Sequence, residues 1–70
     1  MKTLVVVTII FLQPANGQID RYERIHPNAD PVEFCGAWEN GWADSIVASK
    51  AKHRWEVLQE PSCDFAEYGQ

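Results

Sequence analysis

The longest apolar run comes first. Between Lys2 and Gln13 the chain carries no charge, and Leu4, Val5, Val6, Val7, Ile9, Ile10, Phe11 and Leu12 are all apolar. A bilayer core needs about 20 apolar residues in helical form, so this run is too short to span one comfortably. It does match a secretory h-region behind a single positive charge, with small Ala15 and Gly17 spaced as a signal peptidase accepts them. Residues 1–17 are therefore read as a signal peptide, cleaved to leave Gln18 first. Two readings compete. Residues 2–12 could stay attached as a membrane anchor, or the β-branched run of Val5, Val6, Val7, Thr8, Ile9 and Ile10 could be a buried strand. The strand is disfavoured because no second run of similar character follows, and a lone buried strand leaves its backbone groups unsatisfied.

After this run the pattern changes period. Residues 18–29 are polar, with Ile19, Tyr22 and Ile25 three apart before Pro27, and read as an N-terminal arm. Asp30-Pro31-Val32-Glu33 then combines an N-cap acceptor, a proline tolerated in a first helical turn and a glutamate at the third helical position, which is a capping box. The spacing predicts a helix from about Pro31 to Asn40, with Phe34, Ala37 and Trp38 on one face and Asn40-Gly41 as its stop. A second helix is predicted from Trp42 to Glu60, where Ala43, Val47, Ala51, Trp55 and Leu58 form a stripe and Pro61 ends the pattern. Lys50, Lys52, His53 and Arg54 fall in its later half, the sign a helix C-terminus prefers.

The expected fold is thus small and mainly α: a helical hairpin, about 31–40 and 42–60, within a stapled unit 30–63, followed by a flexible acidic tail 64–70. A small fold with a β-hairpin turning at Asn40-Gly41 is the alternative, since Asn-Gly is a strong hairpin signal. Gly36, Ala37, Ala43 and Asp44 would be weak strand formers on either side of that turn.

Size and cysteine count sharpen the picture. Ordering each residue costs about 1.5 kcal/mol, so residues 18–70 alone need a staple to fold. Cys35 and Cys63 are the only two cysteines. In an oxidising compartment they are expected to form one disulfide. With His26 and His53 they lack the close ligand pairs of a structural zinc site, so neither a metal nor a cofactor is expected.

Charge removes further classes. The whole chain carries −4, and loss of Lys2 with the leader would leave ten acidic against five basic side chains. Nucleic acid needs a dense basic face and is not an expected partner. A membrane is expected only if the leader is retained, and the sequence specifies no oligomeric state. Ser49 and Lys52 have an S-x-x-K spacing, but the chain has no room for the enclosed pocket a nucleophile requires, so no enzyme is expected. Surplus aromatic residues point instead to binding, because tryptophan is enriched at interface hot spots as well as in cores. Trp38 and Trp55 are expected in the core. Trp42, at the turn, is the expected partner anchor, with Asp64 and Glu67 of the tail as the next candidates. The functional expectation is a small secreted acidic polypeptide that binds an extracellular or cell-surface protein, or, with residues 2–12 retained, a membrane-anchored regulator.

Overall fold

The computed structural model describes residues 2–68. Its frame is a three-stranded antiparallel sheet of order β2-β1-β3, formed by β1 (Lys2–Gln13), β2 (Gln18–Pro27) and β3 (Glu56–Tyr68). A helical layer lies between β2 and β3 in sequence: α1 (Pro31–Ala37), a wide π-type turn over Trp38–Trp42, and α2 (Ala43–Ala51). The fold is not a mainly-α helical hairpin. The uncharged opening run is the central strand, and it does find partners: Gln18–Pro27 on one edge and Glu56–Tyr68 on the other. Neither partner resembles β1 in composition, because an edge strand contributes its backbone to the ladder and needs little apolar side chain of its own.

Strand geometry explains the core. Successive side chains alternate between faces, so Val5, Val7, Ile9 and Phe11 project to one side, where all are fully buried. Trp38 and Ala43 of the helical layer cluster with Val7, Ile9 and Phe11, with Tyr22, Phe34, Trp42, Ile46, Val47, Trp55 and Cys63 partly buried around them. Each fully buried Val, Ile or Phe contributes about 1.5–3 kcal/mol, which makes β1 the main source of hydrophobic stabilisation.

The turns show how the same residues support two readings. Pro14, Ala15, Asn16 and Gly17, read above as the end of a leader, form the β1–β2 hairpin loop. Gly17 has φ 72°, its N–H donates to the Gln13 carbonyl at 2.8 Å, and the Asn16 side chain accepts from the Gln18 N–H at 2.9 Å. Small and turn-forming residues suit both a peptidase site and a tight reversal. The β-hairpin therefore turns here. At Asn40-Gly41 the helical layer kinks instead, with Gly41 at φ 144°, a region costly to any residue with a Cβ.

Helix boundaries follow capping chemistry. The Asp30 side chain accepts from the Val32 N–H at 3.0 Å, and Pro31 opens α1. Asp30→Ala is expected to cost about 1 kcal/mol, read as a lower midpoint in urea unfolding with an unchanged slope. At the other end α2 stops at Ala51, short of the expected Glu60. The Arg54 N–H bonds the Ala51 carbonyl and the Trp55 N–H bonds the Lys50 carbonyl, the paired bonds of a Schellman ending, with Arg54 left-handed at φ 66°. Residues 56–60 leave the helical stripe and enter β3, so Leu58 is 55% exposed. The expected polar arm is β2, and the described part of the expected tail continues β3; Gly69 and Gln70 lie outside the described residues.

Cys35 and Cys63 are bonded, tying α1 to β3 with a Cα separation of 5.7 Å. Cys63 sits opposite Val7, so the bridge anchors the helical layer to the buried face of the sheet.

Candidate functional site

The helical layer covers one face of the sheet, although Val57 and Phe65 of β3 stay exposed on that side, and the other face carries the exposed isoleucines of β2. Directly opposed residues of antiparallel strands share a face, so Leu4, Val6, Thr8, Ile10 and Leu12 of β1 lie with their partners on the outer side. From β2 these include Ile25 opposite Val6 and Ile19 opposite Leu12, which are 55% and 60% exposed. From β3 come Ala66, Asp64, Ser62, Gln59 and Glu56. The result is an apolar column bordered by the carboxylates of Glu23, Asp64 and Glu56. Arg21 lies there too, paired with Glu23 at 2.7 Å.

The residues expected to bind a partner do not converge. Trp42 is half-buried in an aromatic cluster, edge-on to Trp38 with ring centroids 4.8 Å apart and to Phe34 at 5.3 Å, with His26 at 6.0 Å. Trp38 is fully buried and stacks on Tyr22 at 6.2 Å, while Trp55 is half-buried beside α2. Asp64, opposite Val6, lies on the outer face; Glu67, opposite Thr3, belongs to the other face, and both are exposed. The exposed isoleucines were missed because their three-residue spacing around Tyr22 resembles helical periodicity. The alternation Ile19, Arg21, Glu23, Ile25 was the usable signal, since it places these four on one face of a strand.

At the hairpin-loop end an open groove of about 440 Å³ is lined by Pro14, Ala15, Ala51, Arg54, Trp55 and Glu56. Beside it, Lys50 pairs with Asp20, and its ammonium lies 4.8 Å from the Trp55 ring centroid and 5.4 Å from that of Phe11. The hydrogen bond from Lys50 is the main reason the Asp20 carboxyl titrates below its ordinary value. This pair joins β2 to α2. Ser49 and Lys52 are both exposed, outside any enclosed pocket. His26 is in the aromatic cluster and His53 on the exposed turn after α2. Among the described residues no three His, Cys, Asp or Glu side chains are grouped to hold a metal ion. The arrangement offers recognition surfaces: an apolar face with an acidic border, and a small aromatic groove beside a cation.

No known protein family, curated protein or solved structure matches the chain.

Proposed function

We propose that this protein is a non-catalytic binding module of an oxidising, extracytoplasmic compartment, and that its outer sheet face docks on an extracellular or cell-surface protein. The observation that carries the reading is the pair Ile19 and Ile25, both more than half exposed beside the half-buried Val6, Ile10 and Leu12. Contiguous apolar surface of this kind is costly to leave in water and marks interaction sites. The carboxylates of Asp64 and Glu56 on the β3 side select the partner: an apolar patch bordered by lysine or arginine, which complementary charge would steer into register. The compartment is argued from the disulfide, which persists in oxidising surroundings. No helix among the described residues is long and apolar enough to cross a membrane.

Photo-crosslinking side chains placed singly at Ile10, on the outer face, and at Ala48, on the exposed side of α2, test the assignment. A discrete protein adduct is expected from position 10 and not from position 48. The affinity of that protein, once purified, is expected to fall at least tenfold on Val6→Lys and to weaken as salt rises, with the circular dichroism spectrum preserved. Equal capture from both positions, or an affinity indifferent to Val6→Lys, overturns the proposal.

A further inference from the structure

We propose that β2 is a self-complementary edge at which two copies of this chain pair antiparallel about a two-fold axis at Tyr22, merging their sheets into one. The segment Ile19-Asp20-Arg21-Tyr22-Glu23-Arg24-Ile25 is its own complement when reversed. Ile19 meets Ile25 of the second copy, Asp20 meets Arg24, Arg21 meets Glu23, and Tyr22 meets Tyr22. Every charged residue in the segment faces its opposite, and each residue faces one that shares its side of the sheet, as direct antiparallel partners must. The segment has two acids and two bases, so the chain's overall −4 does not oppose the contact locally.

The backbone agrees with this register. The Asn28 N–H donates to the Thr3 carbonyl at 2.8 Å, just beyond β2. Hydrogen-bonding direction alternates along a strand, so even-numbered residues of β2 turn toward β1 and odd-numbered residues turn to the free edge. The Glu23 carbonyl accordingly accepts from its neighbour's Arg24 guanidinium, at 2.9 Å, rather than from β1. Pairing about Tyr22 sets odd residues against odd residues, so the outward N–H and C=O groups of Ile19, Arg21, Glu23 and Ile25 all find partners. Tyr22 falls at a non-hydrogen-bonded position, where side chains approach most closely.

The other edge is unsuited to the same role. The β1–β3 register shifts twice between Thr8 and Phe11, and Pro61 removes a donor from β3. β2 runs in unbroken register from Gln18 to Pro27. Pairing there also brings Ile19 and Ile25 of the two copies together and doubles the apolar outer face. The inference stands on the β2 sequence and edge, independently of the extracellular partner proposed above.

Charge reversal in the oxidised full-length chain tests it by sedimentation equilibrium over micromolar to millimolar concentrations. The unaltered chain is expected to dimerise reversibly. Arg21→Glu places like charges opposite Glu23 of the second copy, twice by symmetry, and Glu23→Arg does the same against Arg21; each is expected to weaken self-association about tenfold or more. An equal mixture of the two variants restores every opposite-charge pair across the edge, and is expected to form a mixed dimer near the original affinity. A chain monomeric at all concentrations, single variants that dimerise as before, or a mixture that fails to associate overturns the proposal. Val6→Lys lies on β1, one strand in from this edge and outside its hydrogen-bonding ladder, and is expected to leave dimerisation unchanged, which separates failure of this inference from failure of the docking face.

Discussion

A chain beginning at Gln18 is expected to lose its sheet and its cooperative unfolding, even with the Cys35–Cys63 bridge intact. The missing segment would include all of β1, the strand to which both β2 and β3 are hydrogen-bonded. It would also remove Val5, Val7, Ile9 and Phe11, each fully buried. At about 1.5–3 kcal/mol per side chain, their burial sums to roughly 6–12 kcal/mol, comparable to the whole stability of an ordinary domain. What remains is two polar edge strands with nothing between them and a helical layer whose Trp38 has no floor. Comparing circular dichroism melts of residues 18–70 and of the full chain decides the matter. A sharp transition with sheet content retained in the shorter chain would show that β1 is dispensable, and would support residues 1–17 as a removable leader. Val7→Asp in the full chain provides a second check, because a carboxylate without a partner at that buried position should be nearly as damaging as the deletion.

Removing the staple is expected to have the next largest effect. The bridge joins residues 28 apart, and cross-linking a loop of that length restricts the unfolded chain by about 3.6 kcal/mol on the chain-entropy account. In a domain of this size 1 kcal/mol moves the melting temperature by roughly 4–8 °C, so Cys35→Ser with Cys63→Ser should lower it by about 15 °C or more. Using both substitutions avoids a stray thiol. Native contact is lost as well, since Cys63 packs against the core cluster beneath α1. Protease digestion should show first cuts in the helical layer, which the bridge holds to β3. A melting temperature that falls by less than 5 °C would mean that the sheet and the aromatic cluster hold the layer without it.

Several local features were readable from residue types alone because their physics is local. Two cysteines permit only one intrachain disulfide. Asp30 and Pro31 set a helix start through a bond reaching two residues along the chain. Pro14 to Gly17 and Asn40-Gly41 both interrupt regular structure, as their composition implies, although the first proved to be a hairpin loop and the second a kink within a helical layer. The function proposed here retains the expectation of binding, but the surface assigned to it has moved from Trp42 to the far side of the sheet.

Residue pattern by itself determined two of the interruptions, at Pro14 to Gly17 and at Asn40-Gly41, where the first helix begins, which sulfurs can join, and that Thr3 to Leu12 must be removed from water. It could not determine what removes that run from water. A secretory h-region and a central strand both accept an uncharged apolar run of this kind, and only the tertiary structure shows the run as a strand, β1, hydrogen-bonded on both edges. The partner strands were hidden for a related reason. Sheet pairing is made by backbone N–H and C=O groups that every residue except proline carries, so Gln18–Pro27 and Glu56–Tyr68 needed no distinctive side chains to become β2 and β3. Once they were paired, alternation across the sheet decided the rest: it placed Val7, Ile9 and Phe11 under the tryptophans and turned Ile19 and Ile25 outward to solvent.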